Sequence, residues 1–235
     1  MENIIIKIRE ELESNIDEKT LNTSQHFFKE TINFYVVKVP VVRKLSEAFF
    51  PLIASRPKQE IFELCENLWQ SDYIEESFIA CNWSYYIREQ YEPQDFIVFE
   101  KWINQYVTNW ASCDTLCKHS FGELIEMFPE KITGLKEFAK SENRWVRRAS
   151  AVTLIIPARK GKFLGDILEI ADSLLLDKDD LVQKGYGWML KAASEAHQAD
   201  IFDYVIKNKA IMPRTALRYA IEKMPPHLKS EAMKR

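Results

Sequence analysis

The sequence predicts an all-α chain built as an α-solenoid, and three observations carry that expectation. Apolar residues recur at helical spacing through almost all of the 235 residues. Period-two alternation is nearly absent, and Phe34-Tyr35-Val36-Val37 is the only extended candidate. The segment Val146-Arg147-Arg148-Ala149-Ser150-Ala151-Val152-Thr153-Leu154 aligns without gaps on Val182-Gln183-Lys184-Gly185-Tyr186-Gly187-Trp188-Met189-Leu190, 36 residues later. Asp114-Thr115-Leu116 lies 32 residues before Val146, and Ile79-Ala80-Cys81 a further 35 before that. A period in the thirties with two helices per unit marks a stack of helix pairs.

Taken in order, Ile4, Ile5, Ile6, Ile8 and Leu12 begin the first apolar stripe, and Val42, Leu45, Ala48 and Phe49 form the next. Val39-Pro40 bars one helix from running through both. Helical periods follow at about residues 58–70, 73–89, 95–107, 113–127, 130–140, 144–157, 162–176, 179–195, 198–208 and 213–224. The short gaps carry Ser, Asp, Asn or Pro, which suit N-caps and first turns. The Trp, Gly, Tyr and Pro pattern of tetratricopeptide repeats does not recur, so HEAT-like antiparallel pairs are preferred. The expectation is a single domain over 1–235, about six pairs long, whose concave face carries function.

Composition narrows the class. With 46% hydrophobic and 29% charged residues the chain has material for a core and is not disordered. Only 6 Gly and 9 Pro argue against a many-turned β architecture. No apolar run reaches the roughly 18 residues of a membrane span, and the first residues lack a signal-peptide pattern. Four cysteines, Cys65, Cys81, Cys113 and Cys117, suit reduced thiols in the cytosol. The net charge of −3 hides an asymmetry: residues 1–143 hold 15 Lys and Arg against 24 Asp and Glu, whereas 144–235 hold 17 against 11. An acidic scaffold joined to a surface for polyanions is one reading of that split, and a solvated face is the other.

Arg144, Arg147 and Arg148 fall on one helix face, and Lys184, Trp188 and Lys191 on the face of the equivalent helix one repeat on. Cations interleaved with Trp145 and Trp188 suit a phosphate track beside a π surface, against the plainer reading of surface charge over buried indoles. Arg159, Lys160 and Lys162 flank Gly161 in a turn whose amides are candidates for a phosphate. Gly185 and Gly187 inside one helix imply close approach of a neighbouring helix or of a ligand. Trp110 and Asp114 are one helical turn apart, with Ser112 as the expected N-cap and Asp114 in the first turn. Cys113, Cys117 and His119 invite a zinc reading, but Cys-x₃-Cys without a second pair points rather to buried thiols. No Walker loop, His-Glu-x-x-His, Gly-x-Gly-x-x-Gly or Gly-x-Ser-x-Gly occurs, so no metal and no cofactor is expected.

Four segments together resemble the AlkD-like DNA alkylation repair family of HEAT-like DNA glycosylases. They are Lys38-Val39-Pro40-x-x-Arg43-Lys44-Leu45, Trp110-x-x-x-Asp114, Asn143-Arg144-Trp145-Val146-Arg147-Arg148 and Val182-Gln183-Lys184-Gly185-Tyr186-Gly187-Trp188. The resemblance implies excision of N3- and N7-alkylated purines from duplex DNA without full base flipping. It places the catalytic carboxylate at Asp114, tryptophan partners at Trp110 and Trp188, and a phosphate contact at Arg148. It further implies a cytosolic monomer with DNA as partner, no membrane association and no obligate protein partner. Because relatives exist that bind branched DNA with little excision, a non-catalytic module for distorted or branched DNA is the alternative implication.

Overall fold

The computed structural model describes residues 2–17 and 28–234. Among these residues the regular structure is entirely helical, apart from one isolated bridge between Asn33 and Tyr73. Two compact units divide the chain, Met1–Leu116 and Cys117–Arg235. The first contains α1 (Glu2–Ser14), α2 (Val39–Phe49), α3 (Lys58–Gln70), α4 (Ile74–Tyr86), α5 (Asp95–Gln105) and α6 (Trp110–Leu116). The second opens on a π-helical turn, Cys117–Phe121, and continues through α7 (Gly122–Met127), α8 (Ile132–Phe138), α9 (Arg144–Val152) and α10 (Ile155–Arg159). It is completed by α11 (Leu164–Leu174), α12 (Asp180–Ala193), α13 (Gln198–Asn208), α14 (Arg214–Ala220) and α15 (Pro226–Met233). The helical periods read from the sequence end at about residue 224, so α15 adds to them; Pro226 opens this helix, its missing N–H being one of the first-turn donors that need no partner.

The repeat governs how helices begin and how they are joined. Helix N-caps fall at Tyr73, Asn109, Asn143, Asp179 and Pro213, alternately 36 and 34 residues apart. At three of these the side chain accepts a first-turn amide: Asn109 from Ser112, Asn143 from Trp145, and Asp179 from Leu181 and Val182. Between repeats, polar side chains pair at one repeat's separation. Ser77 and Ser112 share a hydrogen bond of 2.6 Å, Asn82 donates to Ser46 at 2.9 Å, and Lys160 pairs with Glu126 at 2.7 Å. Within the first unit α2, α4 and α6 pack side by side, and within the second α9, α12 and α14 do. Each of these layers is backed by the partner helices of its pairs, such as α3 on α4 and α8 and α11 on α9 and α12. This is the α-solenoid of HEAT-like pairs that the period predicts.

Caps also correct the register. The 32-residue offset between Asp114 and Val146 is two residues short, because cap to cap Asp114 corresponds to Arg148, each the fifth residue after its cap. The same position is Phe78 in α4, Lys184 in α12 and Arg218 in α14.

The first unit's core is aromatic. Trp83, Phe99 and Trp102 are fully buried, and Phe62 meets the Trp102 ring edge-on at 5.7 Å and 88°. Ile4, Ile5, Ile8 and Leu12 are buried as the stripe requires, whereas Ile6 points away. In α2 the core positions are Val42 and Ser46 rather than Ala48, which is exposed. Ser46 earns its burial through polar contacts, its hydroxyl taken by Asn82 and its carbonyl by the Trp83 indole N–H at 3.1 Å.

The extended candidate at Phe34–Val37 is not a strand. Val36 takes a left-handed φ of 67°, a rare conformation for a β-branched residue. It is held there because the Tyr35 and Val37 amides both donate to the buried Glu75 carboxylate, at 3.1 and 3.0 Å. The neighbouring Glu76 accepts the Tyr35 hydroxyl at 2.7 Å and a forked contact from Arg9.

Candidate functional site

In the first unit the chemistry gathers on α6. Its cap is Asn109, not Ser112, because Asn109 supplies both the side-chain oxygen for the Ser112 amide and the carbonyl for the Cys113 amide. Ser112 is occupied instead with Ser77 across the repeat. Asp114 therefore sits in the second turn, past the reach of the helix dipole at the N-terminus. The capping role that would account for an aspartate here is taken by another residue. Asp114 is 5% exposed, one helical turn from the half-buried Trp110 and on the same face. The Trp110 ring stacks on Phe28 at 5.4 Å and 23°. Beside it Phe34, Val36, Val39, Phe78, Trp110 and Ala111 line part of a hollow of about 210 Å³.

The second unit presents Trp188 between two ammonium groups. Lys118 lies 5.0 Å from its ring centre and Lys191 5.9 Å, with Lys191 also 5.5 Å from the Tyr219 ring. Lys118 was not singled out in the sequence, since nothing local links a residue of the π-helical turn to a tryptophan 70 positions away.

The two glycines of α12 serve different neighbours. A Cβ on Gly187 would stand 2.7 Å from the Ala216 carbonyl and from the Tyr219 side chain, so Gly187 lets α14 approach. A Cβ on Gly185 would meet Arg148 at 3.4 Å, ordinary contact distance, so Gly185 makes room for an arginine side chain.

The cations nominated from the sequence all have partners within this unit. Arg148 is 5% exposed and its guanidinium donates to the Leu181 carbonyl. Arg144 pairs with Asp179 at 3.2 Å and lies over the Trp145 ring; Arg147 pairs with Asp177 at 2.6 Å. Lys184 pairs with Asp180 at 3.3 Å, and Lys191 with Glu222 at 2.9 Å. Arg159 reaches Glu195 at 3.3 Å, while Lys160 and Lys162 share Glu126, each at 2.7 Å. Partial burial alone would raise the Glu126 carboxyl, but the two lysine donors outweigh it and hold it below the usual carboxylate range.

In the turn at Gly161 the Lys160, Gly161 and Lys162 amides are already taken by carbonyls of α10. Gly161, at φ 77°, donates to the Ala158 carbonyl and Lys162 to the Pro157 carbonyl. This is a Schellman cap that closes α10 and consumes the donors the sequence offered to an anion. Cys113 and Cys117 are fully buried, and among the described residues no group of three or more His, Cys, Asp or Glu side chains is arranged to hold a metal ion. Among the same residues no helix is long and apolar enough to cross a membrane.

Comparison with known proteins adds to this geometry. A family described as DNA alkylation repair enzyme matches residues 8–224. A solved structure described as a predicted DNA alkylation repair enzyme from Enterococcus faecalis superposes with a TM-score of 0.80 at 16% identity, covering 90% of this chain and 98% of that one. No curated protein matches the sequence. At that identity the superposition supports the fold alone, while the family match spans nearly the whole chain. The chain belongs to the DNA alkylation repair enzyme family.

Proposed function

We propose that this protein is a DNA glycosylase that hydrolyses the N-glycosidic bond of N3- or N7-alkylated purines in duplex DNA, using no cofactor and without full base flipping. Asp114 is the catalytic carboxylate, and Trp110 and Trp188 are its aromatic partners. Arg144, Arg147, Arg148, Lys184, Lys191, Arg159, Lys160 and Lys162 are phosphate contacts that exchange a protein partner for DNA. The observation that carries the reading is Asp114 itself, an aspartate in a second helical turn that neither caps its helix nor serves the dipole, one turn from Trp110.

Alkylation at N3 or N7 makes the base cationic, so breaking the C1′–N bond returns its electron pair to a neutral leaving group and no general acid is required. Positive charge then develops at C1′. A carboxylate in a low-dielectric site stabilises that oxocarbenium character more strongly than one in water. Water adds to C1′, its proton passes to Asp114, and an abasic site remains. Indole faces favour both the cationic purine and the developing sugar charge, by about 0.5–2 kcal/mol per contact. The test is release of N7-methylguanine from duplex DNA by wild type against Asp114→Asn; equal background release from both sinks the reading.

The 5% exposure of Asp114 favours a second reading, a module that binds distorted or branched DNA without excision. It predicts salt-sensitive binding that weakens on Arg148→Ala, with no base released.

A further inference from the structure

Position five after each cap, which carries Asp114, Arg148 and Lys184, carries Arg218 in the last of these repeats. Arg218 is exposed, and Arg214 lies one turn before it on the same face of α14. Beside Arg214, Lys209 and Lys234 complete the polar lining of a hollow of about 600 Å³ whose remaining walls are Ala210, Met212 and Pro213. Lys209 donates to the Glu231 carbonyl at 3.2 Å and Arg214 to the Met233 carbonyl at 3.1 Å. These neutral acceptors orient the two cations and leave their charge intact. Among the described residues none of Lys209, Arg214, Arg218 and Lys234 has a carboxylate at ion-pair distance. Arg144, Arg147, Arg159, Lys160, Lys162, Lys184 and Lys191, all nominated from the sequence, do have one.

We infer that Lys209, Arg214, Arg218 and Lys234 form a second grip on the DNA, holding backbone phosphates and supplying most of the salt-dependent affinity. The inference rests on the DNA reading above. A phosphate meeting Lys160 and Lys162 must displace Glu126, so little net charge is neutralised and few counterions are released there. A phosphate meeting Arg214 and Arg218 displaces no carboxylate, so each contact counts fully toward counterion release. Guanidiniums one helical turn apart, with Cβ atoms about 5–6 Å from each other, suit successive phosphates of one strand.

The experiment measures affinity for an unmodified duplex against KCl concentration by fluorescence anisotropy. Wild type is compared with the Lys209→Ala/Arg214→Ala/Arg218→Ala/Lys234→Ala variant, with Lys160→Ala/Lys162→Ala, and with Arg214→Lys/Arg218→Lys. For the quadruple variant the slope of log affinity on log salt falls by about 2–4, near 0.9 per phosphate lost. The Lys160/Lys162 variant keeps a slope within about one of wild type, and the Arg-to-Lys variant restores charge and slope together. Wild-type slope in the quadruple variant overturns this inference and leaves the glycosylase reading standing. Failure of wild type to bind the duplex at any salt overturns both.

Discussion

At the scale of single residues, local chemistry reassigns roles that sequence spacing had suggested. The sequence nominated Ser112 as the cap of α6, and Asn109 holds that place. The choice fell to Asn109 because the Ser112 hydroxyl is needed by Ser77, a residue 35 positions away. Glu75 carried no signal at all, yet it fixes the path of the chain at Val36. Burial raises its carboxyl, with the Tyr35 and Val37 amides pulling the other way. A carboxyl raised on folding favours the fold most below the ordinary carboxylate pKa, and loses that contribution as pH rises through the raised value. Glu75→Gln removes this dependence and turns one amide donor toward another donor. It is expected to lower stability at neutral pH by about 1–3 kcal/mol and to flatten the stability profile in the weakly acidic range, read by urea unfolding at several pH values.

At the scale of elements, most helices were legible and their joints were not. α3 and α13 match their periods residue for residue, since apolar spacing is local information. The run expected over 144–157 is two helices, α9 and α10, and that over 113–127 begins three residues earlier and passes through a π-helical turn. The α12 glycines were read together and prove to differ. Gly187→Ala forces a Cβ into the α14 backbone and is expected to destabilise by about 1–3 kcal/mol. Gly185→Ala meets only ordinary contacts with Arg148 and Val152, so the helix-propensity gain, up to about 1 kcal/mol, leaves it neutral or stabilising. Thermal unfolding of the two single variants distinguishes them. Lys160 and Lys162 tie the end of α10 to α7 through Glu126, whose lowered carboxyl contributes stability above its unfolded pKa and loses it as pH falls through the folded one. Lys160→Ala/Lys162→Ala is expected to remove that contribution, roughly 0.2–1 kcal/mol per exposed pair, and to shift acid unfolding to higher pH.

At the scale of the whole molecule, the repeat was visible in sequence, but its register was two residues out where Asp114 was concerned. Composition could not show the difference, because the equivalent position changes chemistry from Phe78 to Asp114 to Arg148, Lys184 and Arg218. The charge asymmetry follows the two units, with 11 Lys and Arg against 19 Asp and Glu in residues 1–116 and 21 against 16 in residues 117–235. Counting cations did not distinguish paired from unpaired ones: the residues nominated for DNA are largely engaged with carboxylates, whereas among the described residues Lys209, Arg214, Arg218 and Lys234 have none at ion-pair distance. The proposed activity stands or falls on Asp114. Its most direct test is single-turnover reaction of saturating protein with a duplex containing one N7-methylguanine, following free base and abasic site together. Wild type is expected to release base and leave one abasic site per base freed, while Asp114→Asn binds the duplex equally and loses at least about two orders of magnitude in rate. Equal rates for the two proteins, with the duplex bound by both, contradict the account.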